Sequence, residues 1–246
     1  MPQGMFSVFF FGEMTMTDYS HIKTQLEEVL LRISQSAGKS GRQPDEVKLV
    51  AVSKTFPVEA VIEAHNAGQK LFGENRVQEM SSKFGHLPTD IEWHLIGHLQ
   101  SNKAASAVKM SHMIHAADSE DLIARINRIA GESGKKQEIL LEINISKEES
   151  KFGLRAETEI FKCAECALKS PSVDLMGLMT MSPYGAPECE LRRIFSGLRE
   201  LRDKIESSFS VKLPELSMGM SGDYEIAIAE GSTIVRIGTA IFGKRN

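Results

Sequence analysis

The chain has 246 residues, is 41% hydrophobic and 25% charged, and carries a formal net charge of −4. It can bury a core without a disulfide or metal staple, and a length of this order suits one α/β barrel. With a slight acidic excess and no basic tract of five or more residues, nucleic acid and anionic membrane surfaces are excluded as main partners. Only three cysteines occur, Cys163, Cys166 and Cys189, an odd and sparse count that argues against a disulfide framework and for a reducing, cytoplasmic setting.

The apolar run Phe6 to Phe11 is short, lacks a preceding basic residue and is followed by Glu13, so it is a poor secretory signal. Residues 1–16 are expected to be a disordered or extended N-terminus, with the folded domain over 17–246. No apolar run approaches the ~20 residues of a membrane span. Residues 18–36 carry Ile22, Leu26, Val29, Leu30 and Ile33 at helical spacing, with Gly38 as a stop.

Eight short apolar runs follow, at 48–54, 70–74, 92–97, 112–118, 138–145, 173–181, 215–220 and 233–238. Helical patterns separate them at 58–67, 76–83, 102–110, 119–131, 155–169, 188–209 and 223–229. Near-continuous apolar strands spaced by helices mark a parallel sheet covered on both faces, and eight of them predict a single (β/α)8 barrel of the TIM type. An open doubly wound sheet is the competing arrangement, but eight repeats are many for it. The last strand leaves too few residues for a covering helix, so the extra N-terminal helix is expected to fill that gap.

Barrel enzymes place their sites at the C-terminal ends of the strands. Lys54 stands at that end of the first strand and shares a face with Val50 and Val52. On an apolar interior face a lysine is partly desolvated, which lowers its pKa and frees an amine for a Schiff base; departure into solvent is the alternative that spacing leaves open. Near the chain's end, Ser217 and Ser221 offer hydroxyls, Gly219 and Gly222 admit close approach, and strand eight runs into Gly238-Thr239. Barrels often bind phosphate with the loops after strands seven and eight, so these residues predict a phosphate site. Arg236 interrupts an apolar strand, and a buried arginine needs an acceptor, either a ligand or a structural carboxylate.

Other strand ends carry Glu74, Asn75, His94, His98, Asn144, Ser146, Thr180 and Ser182, which read singly as caps or satisfied polar groups. His112 and His115 are an odd number apart and cannot share a metal, and His94 and His98 lack an evident carboxylate set. No metal motif, Walker loop or dinucleotide fingerprint is present. The C-x-x-C of Cys163 and Cys166 falls mid-helix and reads as packing. The charge run 147–151 reads as a solvated loop.

At Val50-Ala-Val-Ser-Lys54-Thr the sequence resembles the pyridoxal phosphate homeostasis family, formerly the proline synthetase co-transcribed proteins. The same resemblance runs in order through Phe72-Gly-Glu-Asn75, Trp93-His-Leu-Ile-Gly-His98-Leu-Gln-Ser-Asn-Lys103, Lys151-Phe-Gly-Leu154, Gly177-Leu-Met-Thr-Met181, Ser217-Met218-Gly-Met-Ser-Gly-Asp223 and Val235-Arg-Ile-Gly-Thr-Ala-Ile-Phe-Gly243. It spans about residues 20 to 243 and implies the N-terminal barrel of the alanine racemases, a fold-type III protein. It implies pyridoxal 5'-phosphate (PLP) as cofactor on Lys54, with Asn75, Ser217, Met218, Ser221, Arg236, Gly238 and Thr239 around it and Arg236 toward the pyridine nitrogen. The racemases follow their lysine with Tyr-Gly-His-Gly, whereas Thr55-Phe-Pro57 stands here, and their second domain has no counterpart in this sequence. The resemblance therefore implies a non-catalytic protein of intracellular vitamin B6 homeostasis, with PLP-dependent apoenzymes as recipients, and a monomer is the default expectation because no second domain stands in this sequence to exchange contacts. A racemase or lyase on a small amino acid is the alternative, which a base such as Tyr184 or Tyr224 would revive. A PLP-free Schiff-base aldolase accounts for Lys54 and the phosphate loops but not for Arg236.

Overall fold

The computed structural model describes residues 18–146, 148 and 151–244. The expectation for residues 1–16, and most of that for 147–151, falls outside the described residues. Eight parallel strands close in sequence order: β1 (Lys48–Val52), β2 (Leu71–Glu74), β3 (Glu92–Leu95), β4 (Met113–Ala117), β5 (Gln137–Glu142), β6 (Val173–Met179), β7 (Glu215–Ser217) and β8 (Ile234–Ile237). The β1–β8 seam that completes the ring pairs Lys48 with Ile234 and Val50 with Arg236. The predicted barrel is the observed one, and the open sheet is set aside.

Nine helices occur among the described residues: α1 (His21–Lys39), α2 (Val58–Asn66), α3 (Val77–Phe84), α4 (Ala104–Met110), α5 (Glu120–Glu132), α6 (Glu157–Leu168), α7 (Glu188–Phe209), α8 (Tyr224–Ala229) and α9 (Thr239–Phe242). Helix α5 shows why they form. Ser119 caps it by accepting from the Leu122 amide, Glu120 and Asp121 meet the positive end of its dipole, and Leu122, Ile123, Ile126 and Ala130 form the buried stripe. Helix α1 buries Ile22, Leu26, Val29 and Ile33 and packs on α2, α8 and α9. It thus occupies the gap in the outer ring that four-residue α9 is too short to cover.

Alternation along the strands sorts the core into two sets. Leu49, Ala51, Phe72, Leu95, Ile139, Leu141, Val235 and Ile237 face the helices. Val50, Met113, Leu140, Met179 and Ile234 meet inside the ring. No helix among the described residues is long and apolar enough to cross a membrane.

Candidate functional site

A cavity of about 1140 Å³ opens at the C-terminal ends of the strands. Lys54, Asn75, Ser221, Arg236, Gly238 and Thr239 all line it. Ser217 and Met218 do not. Met218 is fully buried between barrel and helices, where its carbonyl accepts from Ser232 at 2.7 Å. Ser217 lies deeper inside the ring, with its hydroxyl already taken.

Lys54 leaves β1 in a tight turn. The Phe56 amide donates to the Ser53 carbonyl at 3.0 Å, and Thr55 between them has φ 70°. That place in such a turn ordinarily takes glycine or asparagine, so a β-branched residue there is strained. The Glu79 carboxylate holds it by accepting from the Thr55 amide at 3.0 Å. A buried cluster lies below. Glu74 Oε1 accepts from Lys83 Nζ at 2.6 Å and from Ser53 Oγ at 2.8 Å, while Lys83 also donates to the Ser53 carbonyl. The residue before Lys54 is thereby pinned from two sides.

Across the cavity the β7–α8 turn meets the start of α9. The Ala240 amide reaches the Ser221 hydroxyl at 3.4 Å, which joins the two loops where a phosphate was expected. Among the described residues the amides of Ser221 and Gly222 have no protein acceptor. Asp223 shapes the turn by accepting from the Met220 amide at 2.6 Å and from the Ser182 hydroxyl. Gly238 backs onto β1, where a Cβ would sit 3.0 Å from the Val52 carbonyl oxygen. Free amides, a hydroxyl and a side-chain-free approach together make an anion cradle.

Arg236 forms the cavity floor and is 3% exposed. Its Nη1 donates to Ser217 Oγ at 2.6 Å and its Nη2 to the Thr180 carbonyl at 2.9 Å. These neutral acceptors stand where a structural carboxylate was the alternative. Burial pulls the guanidinium down to about 10, against the pull of Asp223 and Glu142, so it stays cationic at neutral pH. Ser217 continues into a chain: its hydroxyl is 2.9 Å from His115 Nδ1, and His115 Nε2 is 2.8 Å from His94 Nδ1, one nitrogen donating and the other accepting. Burial drives both imidazoles toward the neutral form, His94 down to about 3 and His115 well below its ordinary value. Glu142 points into the ring from β5, and burial beside Asp118 raises its carboxyl to about 7, with Arg236 opposing.

The sequence did not reveal the His94–His115–Ser217–Arg236 chain, because its members come from four strands. Nor did it reveal the carboxylate partner of His98, which is Asp118 at 3.2 Å. No group of three or more metal-binding side chains occurs among the described residues. Tyr184 lies on the cavity rim, fully exposed, while Tyr224 is buried outside the cavity with Arg32 over its ring. Cys163 is buried on α6, and burial pushes its thiol up to about 11, so no reactive thiolate forms there.

Residues 27–246 match the family model described as the alanine racemase N-terminal domain. The pyridoxal phosphate homeostasis protein of Aquifex aeolicus is 43% identical over 224 residues, covering 90% of this chain and 97% of that one. The protein of the same name from Escherichia coli is 40% identical over 238 residues, covering 94% and 98%. PipY of Synechococcus elongatus, solved with PLP bound, superposes with a TM-score of 0.79 at 37% identity, covering 90% of this chain and all of PipY. A lysine and an anion cradle facing each other across one barrel mouth agree with these likenesses, and the chain belongs to the pyridoxal phosphate homeostasis family.

Proposed function

We propose that this protein binds PLP as a Schiff base on Lys54 and holds it for intracellular vitamin B6 homeostasis, without catalytic turnover. The observation that carries this reading is the pairing, in one cavity, of Lys54 with the cradle of Ser221, Gly222, Gly238 and Thr239. When bound, PLP supplies an electrophilic carbonyl carbon and a pyridine ring that can accept electrons. The Ser221 hydroxyl and the unpaired amides of Ser221 and Gly222 suit its phosphate. Asn75 offers a further polar group on the facing wall. Ser217 acts one step back, by fixing the guanidinium that forms the floor. Met218 contributes packing behind the β7–α8 turn.

Arg236 limits the chemistry that bound PLP could support. A cation facing the pyridine nitrogen disfavours its protonation and weakens the ring as an electron sink. Neither tyrosine near the mouth is placed as a held second base: Tyr184 is exposed on the rim and Tyr224 is outside the cavity. We take the working unit to be a monomer and PLP-dependent apoenzymes to be the recipients. A dimer in sedimentation velocity would remove the first point, and no transfer of PLP to an apoenzyme the second.

The test is the visible spectrum of the purified protein with added PLP, wild type beside Lys54→Ala. The expected result is a yellow band that the variant loses or shifts. A colourless wild type overturns the reading. Proton NMR of L-alanine in D2O with the loaded protein then examines turnover, and loss of the α-hydrogen signal would make the protein an enzyme.

A further inference from the structure

The cavity is larger than one cofactor needs. Pockets for drug-sized ligands run to roughly 300–1,000 Å³, and PLP has a single ring, whereas this space is about 1140 Å³. Apart from Asn75 after β2, the groups assigned to PLP come from the ends of β1, β7 and β8. The wall made by the ends of β2 and β3, next to β1 in the ring, has its own chemistry.

Arg76 and Lys103 both line that wall. Among the described residues neither has an ion pair or a side-chain hydrogen bond. The wall's carboxylate, Glu79, is engaged by the Thr55 amide. His98 is engaged too, paired with Asp118 at 3.2 Å and stacked on Phe152 with ring centroids 4.0 Å apart. Two cations therefore face the cavity without an ion-pair partner, although the Glu79 carboxylate on the same wall keeps its charge. Backbone packing fixes them on one surface. The Ile96 amide donates to the Glu74 carbonyl at 2.9 Å, and Gly97 lies so close to Asn75 that a Cβ would be 2.4 Å from its carbonyl oxygen. The loops that leave β2 and β3 thus meet at Asn75 and Gly97, and they lead on to Arg76 before α3 and to Lys103 before α4.

The two walls suit different anions. The cradle across the mouth offers amides and a hydroxyl at close approach, which suits a phosphate. The β2–β3 wall offers a planar guanidinium, an ammonium and the Gln100 carboxamide, and a guanidinium fork matches a planar carboxylate. The stacked His98–Phe152 pair at its edge presents an apolar face, with Phe152 56% exposed.

We propose that the β2–β3 wall is a subsite for a small carboxylic acid of the amino-acid or 2-oxo-acid class, with Arg76 and Lys103 holding its carboxylate. The subsite deepens the cofactor reading, since it places a metabolite beside the PLP held on Lys54. It needs no covalent step.

The experiment is isothermal titration calorimetry of the full-length protein with pyruvate, L-alanine and inorganic phosphate as separate probes. Wild type is compared with Arg76→Gln, Lys103→Met and the double variant, each checked for wild-type thermal unfolding by circular dichroism. Pyruvate or L-alanine is expected to bind, each single change to weaken binding about tenfold, and the double change to abolish it. Pyruvate binding without L-alanine binding narrows the class to 2-oxo acids; the reverse narrows it to amino acids. Binding of phosphate alone, carboxylate binding that ignores both substitutions, or no binding overturns the proposal. PLP uptake by the wild type is read separately from the visible spectrum. Carboxylate binding that depends on Arg76 and Lys103 in a protein that takes up no PLP would leave the subsite standing and remove the cofactor reading.

Discussion

Ser217 has a different place from the one its sequence neighbourhood suggests. Its side-chain parity is as expected, because β7 directs it into the ring, but its depth along the barrel axis depends on strand stagger, which no local pattern records. At that depth the hydroxyl accepts from Arg236 and meets His115. Ser217→Ala leaves both partners buried without their bond, and the unpaired groups should lower stability by about 1–3 kcal/mol. Urea unfolding of the protein without ligand measures this, and an unchanged midpoint would mean that the chain contributes nothing. Lys54, Asn75, Ser221, Arg236, Gly238 and Thr239 were legible as cavity residues because each ends a strand or begins the next turn, and strand ends can be read from hydropathy. The histidine chain was not legible, since its contacts join residues 21 and 102 positions apart.

At the scale of elements, all eight strands and the helices between them were legible from alternating apolar runs. The boundaries were not. The apolar run at 92–97 predicts a longer β3 than Glu92–Leu95, 173–181 a longer β6 than Val173–Met179, and 215–220 a longer β7 than Glu215–Ser217. The surplus residues Ile96, Met181 and Met220 leave the ladder and line the cavity instead. Hydrophobicity marks burial, and a ligand site buries side chains as a sheet does, so the two read alike in sequence. The join between the β2 and β3 ends makes a sharper prediction. In Gly97→Ala the new methyl meets backbone 2.4 Å away, where no side chain can rotate clear. The two loops must part, and a loss of about 1–3 kcal/mol is expected in thermal unfolding. Gly222→Ala serves as a control, because its Cβ points into open space.

For the whole molecule, the buried titratable groups set opposing slopes with pH. Glu142 ionises at about 7 when folded, against about 4.3 in an unfolded chain. The folded state therefore binds the extra proton between those values, and stability falls as pH rises through that window, then levels above it. His94 and His115 act in the other direction. Their folded values are depressed, so their neutral forms support the fold above about 6.5 and the support is lost as pH falls. Glu142→Gln removes the first slope. It should gain up to about 3 kcal/mol over the wild type at pH 8 and little at pH 5. Urea unfolding at the two pH values decides this, and an equal effect at both would mean that Glu142 does not titrate as its burial implies.

Helix α1 fills the outer ring beside α8 and α9, elements separated from it by nearly the whole chain. On the ribosome it is made early, yet its seat is made last. Until residues 224–242 emerge, the stripe of Ile22, Leu26, Val29 and Ile33 has no complete surface to cover it. A nascent chain of this barrel carries a sticky amphipathic helix through most of its synthesis, so translation pace and chaperone access bear on its yield as much as the stability of the finished fold.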